Sequence, residues 1–159
     1  VHLFSGTLAG NIRLGHESIA DESVRRAVEA VHADGFIDRL PLGLNTPVAE
    51  RGATLSVGQK QLLSFARALA SDPAVLILDE ATSSVDIQTE AHIEAALPRL
   101  LAHRTAFVVA HRLSTIRNAD LIVVLEHGRV VEAGTHDVLL EQAGRYRALY
   151  GDWAEAIAG

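Results

Sequence analysis

The sequence contains no cysteine and no methionine. Without cysteine, the chain has no disulfide framework, no cysteine-ligated zinc and no thiol nucleophile. Because translation begins with methionine, a chain that opens at Val1 and has none is expected to be processed or to be part of a longer protein.

Long apolar runs and an excess of positive charge are also missing. The longest apolar runs, such as residues 74–78 and 121–125, have five residues, whereas a membrane-spanning helix needs roughly 20. No segment reads as a signal peptide. The formal net charge is −6, which argues against a general nucleic-acid surface, because phosphates are neutralised by lysine and arginine. Any link to a membrane is therefore expected to come from a partner or an upstream segment.

Hydrophobic residues make up 48% of the sequence, and charged residues make up 21%. This composition excludes disorder and fits one compact domain. Residues 1–16 and 41–55 are rich in glycine and read as loops. Apolar residues at helical spacing predict helices over 18–32, 35–40, 56–71, 87–102, 136–142 and 145–157.

Short apolar runs predict three strands, each buried on both faces, over 74–78, 105–110 and 121–125. The last strand is expected to continue through a hairpin over 126–132. Strands that alternate with helices predict an α/β domain with a mainly parallel sheet. Pro98 lies inside one predicted helix and is expected to kink or shorten it.

Two adjacent acids, Asp79 and Glu80, follow the apolar run 74–78. Ligands of open α/β sheets bind beyond the carboxyl ends of the strands, and neighbouring strand side chains point to opposite faces. One interpretation is that Asp79 holds Mg²⁺ while Glu80 polarises an attacking water. The other is a solvated strand end with two ordinary carboxylates, which is favoured for this pair taken alone.

Two further features resemble parts of a phosphate site. Ser56 stands where a helix N-cap is expected, and Gly58 follows in the first turn; helix N-termini bind anions through free N–H groups. His111 comes just after the strand predicted over 105–110, where an imidazole could contact a phosphate or a water. Taken singly, an ordinary cap and an ordinary loop histidine are the favoured interpretations.

Taken together, these motifs resemble the nucleotide-binding domain of ABC transporters. Residues 55–59, LSVGQ, are similar to the signature motif LSGGQ, and VLILDE, residues 75–80, is similar to the Walker B strand with its catalytic glutamate. SSVD, from Ser83 to Asp86, resembles the D-loop, and His111 resembles the switch histidine. ARALASDP, residues 66–73, lies between the LSVGQ and VLILDE segments and is also typical of the family. Five elements therefore match over about 60 residues in the family's order.

The flanking segments resemble exporter-type members of the family. HLFSGTLAGNIRLG, residues 2–15, is similar to the segment after the Q-loop, which lies near the coupling helices of the membrane domain. Residues 120–140 resemble the late hairpin and helix, and residues 144–153 the end of exporter half-transporters. The resemblance implies part of a P-loop NTPase domain of the ABC ATPase type, with residues 1–72 in the helical signature subdomain and 73–159 in the catalytic core.

The sequence departs from the family pattern in two respects. A P-loop needs G-x-x-x-x-G-K-[ST], and the single lysine, Lys60, stands between Gln59 and Gln61, so Walker A is absent and is expected upstream of Val1. Val57 replaces the usual second glycine of the signature. A parallel sheet without its P-loop strand is expected to expose an apolar seam and to fold poorly alone.

The resemblance implies ATP and Mg²⁺ as cofactors, held between two nucleotide-binding domains of a homodimer or heterodimer. Ser56, Gly58 and Gln59 would contact the γ-phosphate in trans, with Asp79 as the Mg²⁺ ligand, through water. Glu80 would activate the water, His111 would contact the phosphate, and Ser83 and Asp86 would couple the two sites. A membrane domain, expected on the same full-length chain, would hold the subunit at the cytoplasmic face of the cell membrane.

Three other functions stay open at this point. A non-transport ABC ATPase would carry coiled-coil insertions, and no heptad run is present. A metal-dependent hydrolase would use Asp79, Glu80 and His111. Such an enzyme normally carries two histidines at helical spacing, as in H-E-x-x-H, and no two of the eight histidines here are closer than eight residues. An inactive interaction module is the third.

Overall fold

The structure is a computed structural model that describes residues 2–49, 52–79, 87–109 and 113–158. The chain forms two compact units, the first of residues 1–77 and 82–107, the second of residues 78–81 and 108–159. The subdomain boundary that the resemblance implies near residue 72 stays a prediction.

In the first unit, helix α4, Val57–Ser71, packs against three other helices. These are α1 (Leu8–Arg13), α2 (Asp21–Ala30) and α5 (Ile87–Leu101). A short helix α3, Asp34–Ile37, follows α2. Side chains from all four packed helices are fully buried, among them Leu8, Ile12, Val24, Leu63, Ile93 and Leu100.

Short strands complete the first unit. β1, Gly6–Thr7, pairs antiparallel with β2, Pro47–Val48. A 3-10 turn at Gly43–Asn45 precedes β2. β3, Val75–Asp79, and β4, Thr105–Val109, form a two-stranded sheet, of which residues 75–77 and 105–107 belong to the first unit. Helix α5 connects β3 to β4, as expected for neighbouring strands of a parallel α/β sheet.

The second unit is built on a hairpin of β5, Ile122–Glu126, and β6, Arg129–Gly134. Its two-residue loop, His127 and Gly128, has positive φ at both positions, +49° and +76°, as a type I′ turn requires. Helices α6 (Leu113–Arg117), α7 (His136–Glu141) and α8 (Arg145–Ala158) accompany the hairpin. Their common core is formed by Ile116, Val124, Leu139 and Tyr146.

A carboxylate fixes the start of α8. Glu132 on β6 accepts hydrogen bonds from the backbone N–H groups of Arg145, at 2.6 Å, and Tyr146, at 2.8 Å. The negative charge there also suits the positive end of the helix dipole. A side chain at position 144 would displace this carboxylate, because its Cβ would overlap Glu132 Oε1. Burial, with Tyr150 and Asp137 nearby, raises the pKa of the Tyr146 hydroxyl.

Most predicted elements are confirmed, and two expectations are wrong. Residues 8–13 form a helix rather than a loop, because Thr7 Oγ1 caps it by accepting the N–H of Gly10 at 3.0 Å. Of the two outcomes expected at Pro98, the shorter helix is wrong, because α5 continues to Leu101; the kink stays a prediction. Burial of Leu97 and Leu100 around the proline offsets the loss of one backbone hydrogen bond.

The strands are not buried on both faces, so that prediction is also wrong. Leu76 is buried, but its neighbour Ile77 is 75% exposed, and Phe107 on β4 is 63% exposed. An apolar run predicts a strand, but whether one or both faces are covered depends on the layers packed against it. The expected apolar seam is thereby confirmed on the β3–β4 sheet.

Candidate functional site

The N-terminus of α4 is closed by a reciprocal pair of hydrogen bonds. The Ser56 hydroxyl accepts the backbone N–H of Gln59 at 3.1 Å, and the Gln59 side-chain carbonyl accepts the N–H of Ser56 at 3.0 Å. This is the capping box that a serine followed three residues later by glutamine predicts. It confirms Ser56 as the N-cap.

The capping box uses only the acceptor groups of the two side chains. The hydroxyl proton of Ser56 and the side-chain NH₂ of Gln59 take no part in it. The N–H groups of Val57 and Gly58, in the first turn, have no carbonyl within the helix to bond. This end of α4 therefore combines hydrogen-bond donors with the positive end of a 15-residue helix, which suits an anion.

The residues of the signature-like segment, 56–59, differ in their solvent exposure. Ser56 and Val57 are exposed, Gln59 is half-buried, and Gly58 is buried. The Val57 side chain is 54% exposed, so the residue that departs from the family's glycine adds little packing to the helix.

Asp79 is the last residue of β3, and it is exposed. A single carboxylate fits Mg²⁺, which is usually bound by one or two carboxylates together with substrate phosphates and water. Within residues 2–49, 52–79, 87–109 and 113–158, no group of three or more histidine, aspartate or glutamate side chains forms a metal site. The role of Asp79 as a magnesium ligand stays a prediction.

Four predicted site residues lie outside the described residues. These are Glu80, Ser83, Asp86 and His111. The roles given to them remain predictions.

A polar network around the buried Asn11 side chain holds the segment before α2 against α4. The Asn11 side chain, 3% exposed, donates to the carbonyls of Phe4, at 2.8 Å, and Thr7, at 3.1 Å, and accepts the Phe4 N–H at 2.8 Å. Arg67 of α4 donates to the carbonyls of Asn11, at 2.9 Å, and His2, at 3.3 Å. Burial lowers the pKa of the Arg67 guanidinium, which nevertheless stays charged at neutral pH.

Sequence reasoning missed both residues of this network. Asn11 and Arg67 are 56 positions apart. Both lie in segments that resemble the family, 2–15 and 66–73, but the resemblance gave neither residue a role. The one local signal is Thr7, which stands four residues before Asn11 and caps α1.

Two adjoining grooves open beside this segment. The first, of about 390 Å³, is lined by Phe4, Gly6, Asn11 and Leu14 among others. The second, of about 650 Å³, is lined by Arg13, Glu17 and Asp21 among others, and shares Gly10 and Gly15 with the first. Phe4 and Leu14 are 54% and 44% exposed, so the surface mixes apolar and charged side chains.

Replacing Asn11 by leucine is expected to destabilise the chain by about 2–4 kcal/mol, because three part-buried backbone groups lose their partner. Leucine has the same number and branching of side-chain heavy atoms as asparagine, but its methyl groups are larger than the amide, so overpacking adds to the loss of hydrogen bonds. The urea midpoint, followed by circular dichroism, measures the effect. Asn45→Leu at an exposed position is the control; equal midpoints for the two variants would contradict the network.

The comparisons with known proteins agree with these motifs. The family model for ABC transporters matches residues 5–83. The probable multidrug resistance ABC transporter ATP-binding/permease protein YheH of Bacillus subtilis is 52% identical over 94% of this chain and 22% of its own. The ATP-dependent lipid A-core flippase of Desulfotalea psychrophila is 50% identical over 93% of this chain and 26% of its own.

A solved structure has the same fold. It is a bacterial Atm1-family ABC exporter with ATP bound, with a TM-score of 0.81 and 39% identity, and the match covers 99% of this chain and 27% of that one. The chain thus spans about a quarter of the length of the relatives it matches. In the described part of the chain, no helix has the length and apolarity needed to cross a membrane. By its motifs, its fold and its relatives, the chain belongs to the ABC transporter family.

Proposed function

We propose that this chain is part of the ATP-binding, ATP-hydrolysing subunit of an ABC exporter and supplies its signature motif and Walker B strand. The observation that carries the proposal is the N-terminus of α4. There the capping box of Ser56 and Gln59 leaves hydrogen-bond donors available beside the first free N–H groups of the helix.

In this proposal the signature end of α4 contacts the γ-phosphate of an ATP bound to a second nucleotide-binding domain. The phosphate would accept from the Ser56 hydroxyl, the Gly58 N–H and the Gln59 side-chain amide. Because a capping box already orders Ser56 and Gln59, contacting the phosphate would cost little conformational entropy. The second domain is either another copy of this one or a related subunit.

The hydrolytic step would use residues at the carboxyl end of β3. Asp79 would hold Mg²⁺, which neutralises phosphate charge when it is bound. Glu80, the next residue, would orient and polarise the attacking water, and His111 would donate to the γ-phosphate. Ser83 and Asp86 would transmit closure at one ATP site to the other. Positioning and charge neutralisation supply most of the catalysis in this class of reaction.

The membrane-domain contact is proposed to lie on the grooves beside residues 4–21. Exposed Phe4 and Leu14 give an apolar floor, and Arg13 with Asp21 form an ion pair at the rim. A short helix with one apolar face fits such a surface. The printed names of relatives, a permease and a flippase, favour a membrane exporter over a non-transport ATPase. The subunit would then lie at the cytoplasmic face of the membrane.

The isolated 159-residue chain is expected to bind Mg-ATP weakly and to show no ATP turnover above background. It contains no G-x-x-x-x-G-K-[ST] segment to cradle the β- and γ-phosphates. The test compares phosphate release by this chain with release by the intact transporter in lipid nanodiscs. Sustained turnover by the isolated chain, or none by the intact transporter, would contradict the proposal.

A further inference from the structure

Two histidines, one just after a helix and one within another helix, meet on the surface of the first unit. His32 follows α2, and His92 lies in α5. Their ring centres are 5.9 Å apart and the ring planes are inclined by 34°. Neither residue belongs to the set proposed to contact ATP. We propose that the pair binds a transition-metal ion of the Zn²⁺, Ni²⁺ or Cu²⁺ class.

The ring separation is close to what shared ligation of one ion requires. A zinc–nitrogen bond of about 2.0–2.1 Å places the ion about 3.2 Å from each ring centre, so a tetrahedral angle separates the centres by about 5.2 Å. The observed 5.9 Å exceeds this by about 0.7 Å. Small side-chain rotations close that gap, since His92 is exposed and His32 is half-buried.

The backbone of both residues is already fixed. His32 has φ +56° and donates its N–H to the Glu29 carbonyl at 3.1 Å. Arg99, two turns after His92 in α5, donates to the Ala30 carbonyl at 3.1 Å, which ties α5 to the end of α2. Both helices also pack on α4. Binding the ion would therefore require little backbone ordering.

The ligand chemistry selects the class of ion. Neutral imidazole suits zinc, copper and nickel, whereas Mg²⁺ prefers oxygen ligands. No third histidine, aspartate or glutamate joins the pair among the residues that the structure describes. Water would complete the coordination shell, and the bound ion would link the end of α2 to α5.

The test titrates ZnCl₂ into the intact, nucleotide-free protein by calorimetry, with excess Mg²⁺ present and without a histidine tag. His32→Asn and His92→Gln should each weaken zinc binding at least tenfold. Asparagine also tolerates positive φ, and glutamine is a good helix former. His103→Asn is the matched control, because His103 is exposed and has φ +60° just beyond α5.

Electron paramagnetic resonance with one equivalent of Cu²⁺ gives a second measurement. Two nitrogen ligands are expected in the parent and in His103→Asn, and fewer in the other two variants. The proposal is overturned if the parent binds no Zn²⁺, if either pair variant binds it as tightly as the parent, or if the control loses as much affinity.

Discussion

Replacing Glu80 by glutamine should lower steady-state ATP hydrolysis by the intact transporter about 10²–10⁴-fold, the usual contribution of a positioned acid–base group. Glutamine keeps the size of glutamate and still forms hydrogen bonds, but it cannot accept the proton of the attacking water. ATP affinity should stay within about twofold, because the groups proposed to hold the phosphates are unchanged. Phosphate release and equilibrium binding of a fluorescent ATP analogue measure the two quantities.

Glu141→Gln provides the control for this experiment. Glu141 is exposed at the end of α7, so its replacement removes one surface charge without touching the proposed site. An unchanged hydrolysis rate in Glu80→Gln would refute the role proposed for Glu80. A rate that falls together with ATP affinity would assign Glu80 to binding instead of water activation.

Sequence patterns were sufficient to predict elements whose signals are local. The α4 helix was predictable because its apolar face, its serine cap and the glutamine three residues later all agree. The β5–β6 hairpin was predictable because a histidine–glycine pair stands between two apolar runs. The motifs Ser56–Gln59 and 75–80 were likewise short enough to be recognised as resembling one family.

Features that depend on long-range packing were not predictable in this way. Arg67 reaches the carbonyls of Asn11 and His2 only after α4 and α1 pack together. His32 and His92 meet although they are 60 positions apart in the sequence, a separation that no local period encodes. The exposure of Ile77 depends on which layers cover β3, so the apolar run predicted the strand but not its surroundings.

The residue that best separates helix stability from phosphate contact is Ser56. Asparagine and aspartate both cap helices about as well as serine. The asparagine and aspartate side chains are also nearly identical in shape to each other. Either substitution should therefore preserve the bond to the Gln59 N–H that closes α4. The two differ in one property that matters to ATP, because aspartate adds a negative charge where asparagine adds none.

Ser56→Asp should reduce ATP hydrolysis by the intact transporter about 10³-fold, while Ser56→Asn should stay within about tenfold of the parent. Two like unit charges about 4 Å apart near a protein surface repel by about 4 kcal/mol, which corresponds to the larger factor. Phosphate release measures the effect, and the thermal midpoints of both variants should match, which shows that the cap is intact. Equal activity in the two variants would contradict a phosphate contact at Ser56, because only such a contact makes their charge difference matter.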